Sequence, residues 1–224
     1  MTTAIIGVGK IGSALARHLV RGDERVVLAA RHESHAATLA NELGELASAA
    51  PVGEAISAAD VVVLAVPFDA MKALIAEHAD LLAGKVVVDA SNPVKRDDNG
   101  KSVRTLPEGQ SAGEVIAAML PAGAHFVKAF GTLGAESLEN GANRAPRRAV
   151  LFYATDDELA ASVVDRLIAI AGFDPVKAGG VKDAARIEVP NGDLHQHGGL
   201  NGKLLDLEQA RAAVAAGVAI PAAR

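Results

Sequence analysis

Short runs of consecutive apolar residues alternate along this chain with longer stretches in which apolar residues recur every three or four positions. Ala4–Ile6, Arg25–Ala30, Asp60–Pro67, Lys85–Asp89, His125–Ala129 and Ala149–Tyr153 are runs of the first kind and predict buried strands. The purest are Val61-Val62-Val63-Leu64 and Val86-Val87-Val88, and uninterrupted apolar strands belong to sheets covered on both faces. The helical period appears after Ile6, where Ile11, Leu15 and Leu19 share a face. It returns in Ser34–Leu43, Glu54–Ala59, Phe68–Leu82 and Ser111–Leu120, then after Asp156-Asp157 up to Ala171, and in Asp206–Ala216. Ser111 and Glu114 have capping-box spacing. Weaker strands are expected within Leu46–Val52 and Phe173–Lys177, and a short helical stretch from Lys182. Val94–Gly109, Asn140–Arg148 and His195–Gly202 are polar or glycine-rich and read as loops. Strand and helix in alternation predict an α/β, Rossmann-type doubly wound parallel sheet, followed by a short C-terminal helical segment.

The first strand breaks at Gly7-Val8-Gly9-Lys10-Ile11-Gly12, a G-x-G-x-x-G between a strand and a helix. That order suits a dinucleotide pyrophosphate. Gly7 allows the tight turn, Gly9 lets the backbone approach the phosphates, and Gly12 lets the helix pack close to the strand. The N–H groups of the first helical turn face the anion. Residues 1–180 are thus expected to form the dinucleotide-binding domain, with 181–224 a small C-terminal segment.

In such a domain the end of the second strand reads the adenosine ribose. An acid there selects NAD, whereas a basic residue beside a small one accommodates the 2′-phosphate of NADP. The sequence is Ala30-Arg31-His32, with Ser34 and His35 following and Glu33 too far past the strand end. Arg31 offers a planar fork suited to phosphate oxygens, so the pattern favours NADP.

Formal charge is −5 and half the residues are hydrophobic. Nothing in this suggests a nucleic-acid or anionic-membrane surface. No apolar run approaches the roughly 20 residues of a membrane span, and the first strand follows Met1 directly, so a cytoplasmic protein is expected. Without cysteine there is neither a disulfide nor a thiol catalyst. Aromatic residues are few, so a bound flat ring is expected to rest mainly on aliphatic side chains and backbone.

Ligands of doubly wound sheets sit beyond the carboxyl ends of the strands. That rule brings Gly7–Gly12, Arg31–His35, Ala65–Phe68 and Asn92-Pro93 to one crevice, closed by the Phe130–Ala135 turn. With Leu64-Ala65-Val66-Pro67, Lys128-Ala129-Phe130-x-Thr132 and Ala154-Thr155-Asp156-Asp157 added, the chain resembles the NADPH-dependent reductases of the deazaflavin coenzyme F420 and the related cytosolic NADPH module of the STEAP metalloreductases. The resemblance covers roughly residues 1–180. It implies pyrophosphate on Val8, Gly9, Lys10 and Ile11, and the 2′-phosphate among Ala30, Arg31 and His35. It further implies Val66 and Asn92 at the ribose and nicotinamide, and Ala135 near the carboxamide. His35 stands where a lysine is expected, so its phosphate contact should weaken as it loses its proton. The chain departs from this family at Pro190–Gly202, which is polar and irregular where an apolar helix is expected.

Other constellations are weaker. His195-x-His197 offers two metal ligands but lacks a convincing third, and a polar surface loop is the simpler reading. Lys128 and Thr132 are candidates to assist a carbonyl reduction, although a lysine at a strand end is usually solvated. Asp97-Asp98 and Asp156-Asp157 look like turn and cap pairs. No catalytic acid/base set stands out, which suits hydride transfer between a nicotinamide and a planar redox acceptor, deazaflavin- or flavin-like; a non-catalytic NADP(H)-binding module is the alternative. The nicotinamide end is expected among Val66, Pro67, Asn92, Pro93 and the 130–135 turn, with Phe68 and Phe130 shielding the acceptor ring. The partly apolar face of Leu204, Leu205, Leu207, Val214 and Val218 is expected to meet a partner subunit, as in a homodimer, or to cover the acceptor pocket.

Overall fold

The computed structural model describes residues 1–97, 102–107 and 109–217. Asp98 and Val218, singled out above, lie outside the described residues. The first half follows the apolar runs closely. Strands β1 (Thr2–Ile6), β2 (Arg25–Ala29), β3 (Ala47–Ala49), β4 (Val61–Leu64) and β5 (Val86–Asp89) alternate with helices α1 (Lys10–Arg21), α2 (Glu33–Leu43), α3 (Val52–Ala58) and α4 (Phe68–Glu77). After α4 comes α5 (Ala79–Leu82), so the single helix expected from Phe68 to Leu82 is broken at His78. The Val94–Gly109 stretch is not merely a loop, because β6 (Val94–Arg96) and β7 (Ser102–Arg104) pair antiparallel within it. Helix α6 (Ala112–Met119) and β8 (His125–Lys128) follow as expected.

Eight strands form one sheet, in the order β10-β9-β8-β5-β4-β1-β2-β3. Here β9 is Val150–Ala154 and β10 is Asp174–Gly179, joined by α8 (Glu158–Ile170). In that sheet β8, β5, β4, β1, β2 and β3 pair parallel in turn, but β9 meets β8 antiparallel through one bridge, Lys128–Ala154. The expected all-parallel sheet is therefore a mixed, mostly parallel one. The cause lies in the connection. Between β8 and β9 the chain holds only a turn, the six-residue α7 (Ala135–Asn140) and a polar loop. Helix α7 packs on α1, where His18 Nε2 bonds the Leu138 carbonyl at 2.9 Å, instead of crossing a sheet face. The chain consequently re-enters the sheet in the reverse direction. Helices are distributed along the whole chain and are not concentrated at its end.

Two apolar clusters sandwich the sheet. One gathers Ile5, Leu15, Leu19, Val63 and Val88 under α1 and α8, and the other gathers Ile6, Ile56, Leu64, Met71 and Ile116 under α3, α4 and α6. A third cluster, around Val150, Phe152, Val176, Ile187 and Leu194, receives α9 (Leu207–Ala216). Leu205, Leu207 and Val214 pack into it, and Leu204 packs on the first cluster. The four described residues of the apolar face expected to meet a partner subunit or cover the acceptor pocket are thus partly buried against the chain's own core. Among the described residues, no helix is long and apolar enough to cross a membrane.

Candidate functional site

The Gly7–Gly12 turn sits at the carboxyl edge of the sheet, and backbone hydrogen bonds stitch it to its neighbours. Gly7 N–H donates to Ala29 O, Ala65 N–H to Ile6 O, Ala90 N–H to Leu64 O and Ala129 N–H to Asp89 O, over 2.7–3.2 Å. The residues just past β2, β1, β4, β5 and β8 therefore lie in one row, as the strand-end rule requires.

The three glycines have different reasons to be glycine. Gly7 has φ +105°, and a Cβ there would lie 2.5 Å from the Ala65 carbonyl oxygen. A Cβ on Gly12 would collide with the Gly7 carbonyl oxygen. Both are required by packing between the turn and the end of β4. Around Gly9, by contrast, a Cβ would meet nothing within 4 Å. Gly9 is the N-cap of α1, makes no side-chain cap, and is followed by no acidic residue in the first turn. The first N–H groups of α1 have no acceptor within the helix, and its dipole favours an anion here. This open, electropositive backbone cradle fits a dinucleotide pyrophosphate.

Val8 and Ile11 are partly buried and Lys10 is exposed. Ala30 is partly buried at the end of β2. Arg31 and His35 are exposed, and the His32 and His35 rings lie 5.5 Å apart. Arg31 makes no ion pair or hydrogen bond among the described residues, so its guanidinium is available. Val66 is partly buried and Pro67 exposed at the start of α4. Pro93 is buried, with its carbonyl accepting from Thr105 N–H. Asn92 is a clamp: its Nδ2 donates to Gly131 O at 2.8 Å and its Oδ1 accepts from Val189 N–H at 3.0 Å. Ala135 begins α7 and is partly buried.

Phe68 and Phe130, expected to shield a bound ring, are core residues instead. They are 2% and 0% exposed and belong to the two main clusters. Phe130 takes φ +63° where the chain enters the Gly131–Gly134 turn, and its ring lies in the core.

Lys128 departs most from expectation. It is not solvated but 1% exposed. Its Nζ donates to Asp89 Oδ2 at 2.8 Å and Ser91 O at 2.9 Å, with Glu188 Oε1 at 3.6 Å. Burial by itself would lower the lysine pKa, but the Asp89 and Glu188 carboxylates outweigh it and hold the ammonium above its ordinary value. Glu188 also accepts from Ser111 Oγ and from the Ala112 and Gly113 N–H groups at 2.9–3.0 Å, and so caps α6. Sequence reasoning missed Asp89 and Glu188. One signal was present: Asp89 and Lys128 each end an apolar strand, and the register sets them side by side.

The segment 188–202 is irregular, as expected, but is not a surface loop. Leu194, His195 and Gln196 are buried, and the segment straps the 131–137 turn. His195 Nε2–H donates to Gly131 O at 2.9 Å and His195 Nδ1 accepts from His197 N–H at 3.0 Å. Both ring nitrogens are thus committed, which removes the metal pair. Burial lowers the His195 pKa to about 4, although the Gly131 carbonyl opposes it. Gln196 N–H donates to Thr132 O, and its side chain accepts from Gly134 N–H and donates to Ser137 Oγ, each within 3.0 Å. Among the described residues no cluster of three or more potential ligands could hold a metal. The Thr132 and Ser91 hydroxyls, 1% and 6% exposed, have no hydrogen-bond partner among the described residues. Unpaired buried hydroxyls just past the ends of β5 and β8 fit a site completed by a ligand.

Residues 2–93 match the family described as NADP oxidoreductase coenzyme F420-dependent. The chain is 28% identical to the F420-dependent NADP reductase of Methanothermobacter thermautotrophicus, covering 84% of this chain and 85% of that protein. It is 30% identical to the metalloreductase STEAP3 of Rattus norvegicus over 82% of this chain, and spans 35% of that protein's length. The crystal structure of hypothetical protein SMa0349 from Sinorhizobium meliloti superposes with a TM-score of 0.79 at 30% identity, covering 92% and 95% of the two chains.

Proposed function

We propose that this chain, which is related to the coenzyme F420-dependent NADP oxidoreductases, binds NADPH along the carboxyl edge of its sheet and passes hydride between the nicotinamide and a planar redox acceptor, deazaflavin- or flavin-like. The observation that carries this reading is the cradle at Gly9, open for 4 Å around a would-be Cβ, with the exposed Arg31 at the neighbouring strand end. On this reading the backbone of Val8, Gly9, Lys10 and Ile11 holds the pyrophosphate. Ala30, Arg31 and His35 surround the 2′-phosphate, with Arg31 as the bidentate partner. Val66, Pro67, Asn92 and Pro93 border the ribose and nicotinamide, and Ala135 lies near the carboxamide. When bound, NADPH supplies the hydride with its two electrons.

The acceptor class follows from what the crevice lacks. A small hydroxy or keto acid calls for a cationic clamp, and Lys128 is buried against two carboxylates. A flat ring stacked on the nicotinamide asks mainly for alignment and exclusion of water. The strap 188–202 covers the turn where such a ring would end, and supports a role in shaping the acceptor side.

Calorimetric titration of NADPH and NADH into the wild type and Arg31→Glu tests the reading. NADPH affinity should fall by more than tenfold in the variant, about 1.4 kcal/mol or more. Wild type that binds NADH as tightly as NADPH would overturn the assignment of Arg31. Stopped-flow mixing of the NADPH complex with F420, riboflavin, menadione and small carbonyl compounds then sorts acceptors. Oxidation by none of them favours a cofactor-binding module without catalysis.

A further inference from the structure

We propose that His197 is the proton donor to the acceptor, an inference that rests on the NADPH oxidoreductase reading above. A two-electron reduction of a planar acceptor adds one hydride and one proton, and the proton needs a source. The turn beyond β8 has few titratable neighbours. Lys128, Asp89 and Glu188 are buried and bound to one another. His195 has both ring nitrogens engaged.

His197 differs from all of these. Its ring lies over Gly134, where a Cβ would collide with Nε2 and come within 3.3 Å of Cδ2. This contact explains the glycine at a position whose φ of −62° any residue could adopt. The backbone of His197 is fixed from both sides: its N–H is held by His195 Nδ1, and Gln196 is bonded to Thr132 and Gly134. The residue is nevertheless exposed, and its ring makes no hydrogen bond among the described residues. A positioned imidazole with access to solvent, packed on Gly134, is suited to deliver a proton and recover one. In the step, the Nε2–H bond of the His197 imidazolium breaks and an N–H or O–H bond forms on a heteroatom of the acceptor. The acceptor would receive its hydride from NADPH, and the neutral imidazole would recover its proton from a solvent acid, hydronium or buffer, so that the net step consumes one H+.

The test uses the full chain and reads both placement and rate. The His197 Cε1–H resonance is assigned by its loss in His197→Gln. Saturation with NADP⁺ should shift it, whereas 2′-phospho-ADP-ribose, which lacks the nicotinamide, should bind and leave it in place. Binding of both ligands with no difference at His197 would overturn the proposal. Failure of both to bind would overturn the NADPH reading itself, and the proposal with it. In stopped flow, His197→Gln should bind NADPH as the wild type does yet reduce F420, riboflavin or menadione about a hundredfold more slowly. A variant with the wild-type rate would contradict the assignment.

Discussion

The two ends of the candidate site are built on opposite principles. Around Gly7–Gly12 the chain supplies backbone and empty space, with every contact made between residues close in sequence or on adjacent strands. Around Gly131–Gly134 it supplies charged and polar side chains, buried and joined across long separations: Ser111 to Glu188 over 77 residues, Asn92 to Val189 over 97, His195 to Gly131 over 64. The first end leaves its donors open, while the second satisfies nearly all of its own. A cradle for an anion needs the former. A strap that must hold an otherwise irregular segment against a strand end needs the latter, because buried polar groups are tolerated only when paired.

This contrast predicts unequal responses to substitution. Lys128→Ala strands Asp89 and Glu188 in the interior without a cation, and should lower unfolding stability by about 3–5 kcal/mol in a denaturant titration. Arg31→Ala, at the other end, should stay within about 0.5 kcal/mol of wild type. Similar losses in both would erase the distinction.

Proton linkage sharpens it. Above a pH of 6.5, His195 is neutral folded and unfolded, and contributes no slope. Between 6.5 and about 4 the unfolded chain takes up a proton that folded His195 refuses, so stability is lost as pH falls, by roughly 3 kcal/mol across the window. His18 on α1, also lowered by burial, acts with the same sign. The strap's share is therefore the difference in slope between wild type and His195→Gln. Equal slopes would mean that His195 is not held neutral under the strap.

The same contrast explains what was legible in the sequence. Apolar runs such as Val61–Leu64 and Val86–Asp89 announce central strands because burial on both faces leaves no polar position to confuse the period. The Gly7–Gly12 motif announces its turn because its steric needs are local. The reversal of β9 was hidden, since strand direction depends on where α7 packs and not on the residues of β9. The hairpin β6–β7 was hidden by charge and glycine. The strap differs from the expected surface loop because His195 and Gln196 are polar, and polarity alone suggests exposure. Their partners are brought near only by the folded sheet. Phe130 was misplaced for the converse reason: an aromatic residue at a strand end suggests a ring platform, but its ring lies in the core.

The central claim is that the space at Gly9 is kept open for the dinucleotide, and one paired measurement on Gly9→Ala tests it most directly. Nothing lies within 4 Å of the added methyl, so thermal unfolding should be unchanged within about 0.5 kcal/mol. NADPH affinity by calorimetry should fall by about tenfold or more, near 1.4 kcal/mol. A variant that folds as the wild type and binds NADPH equally well would contradict the account.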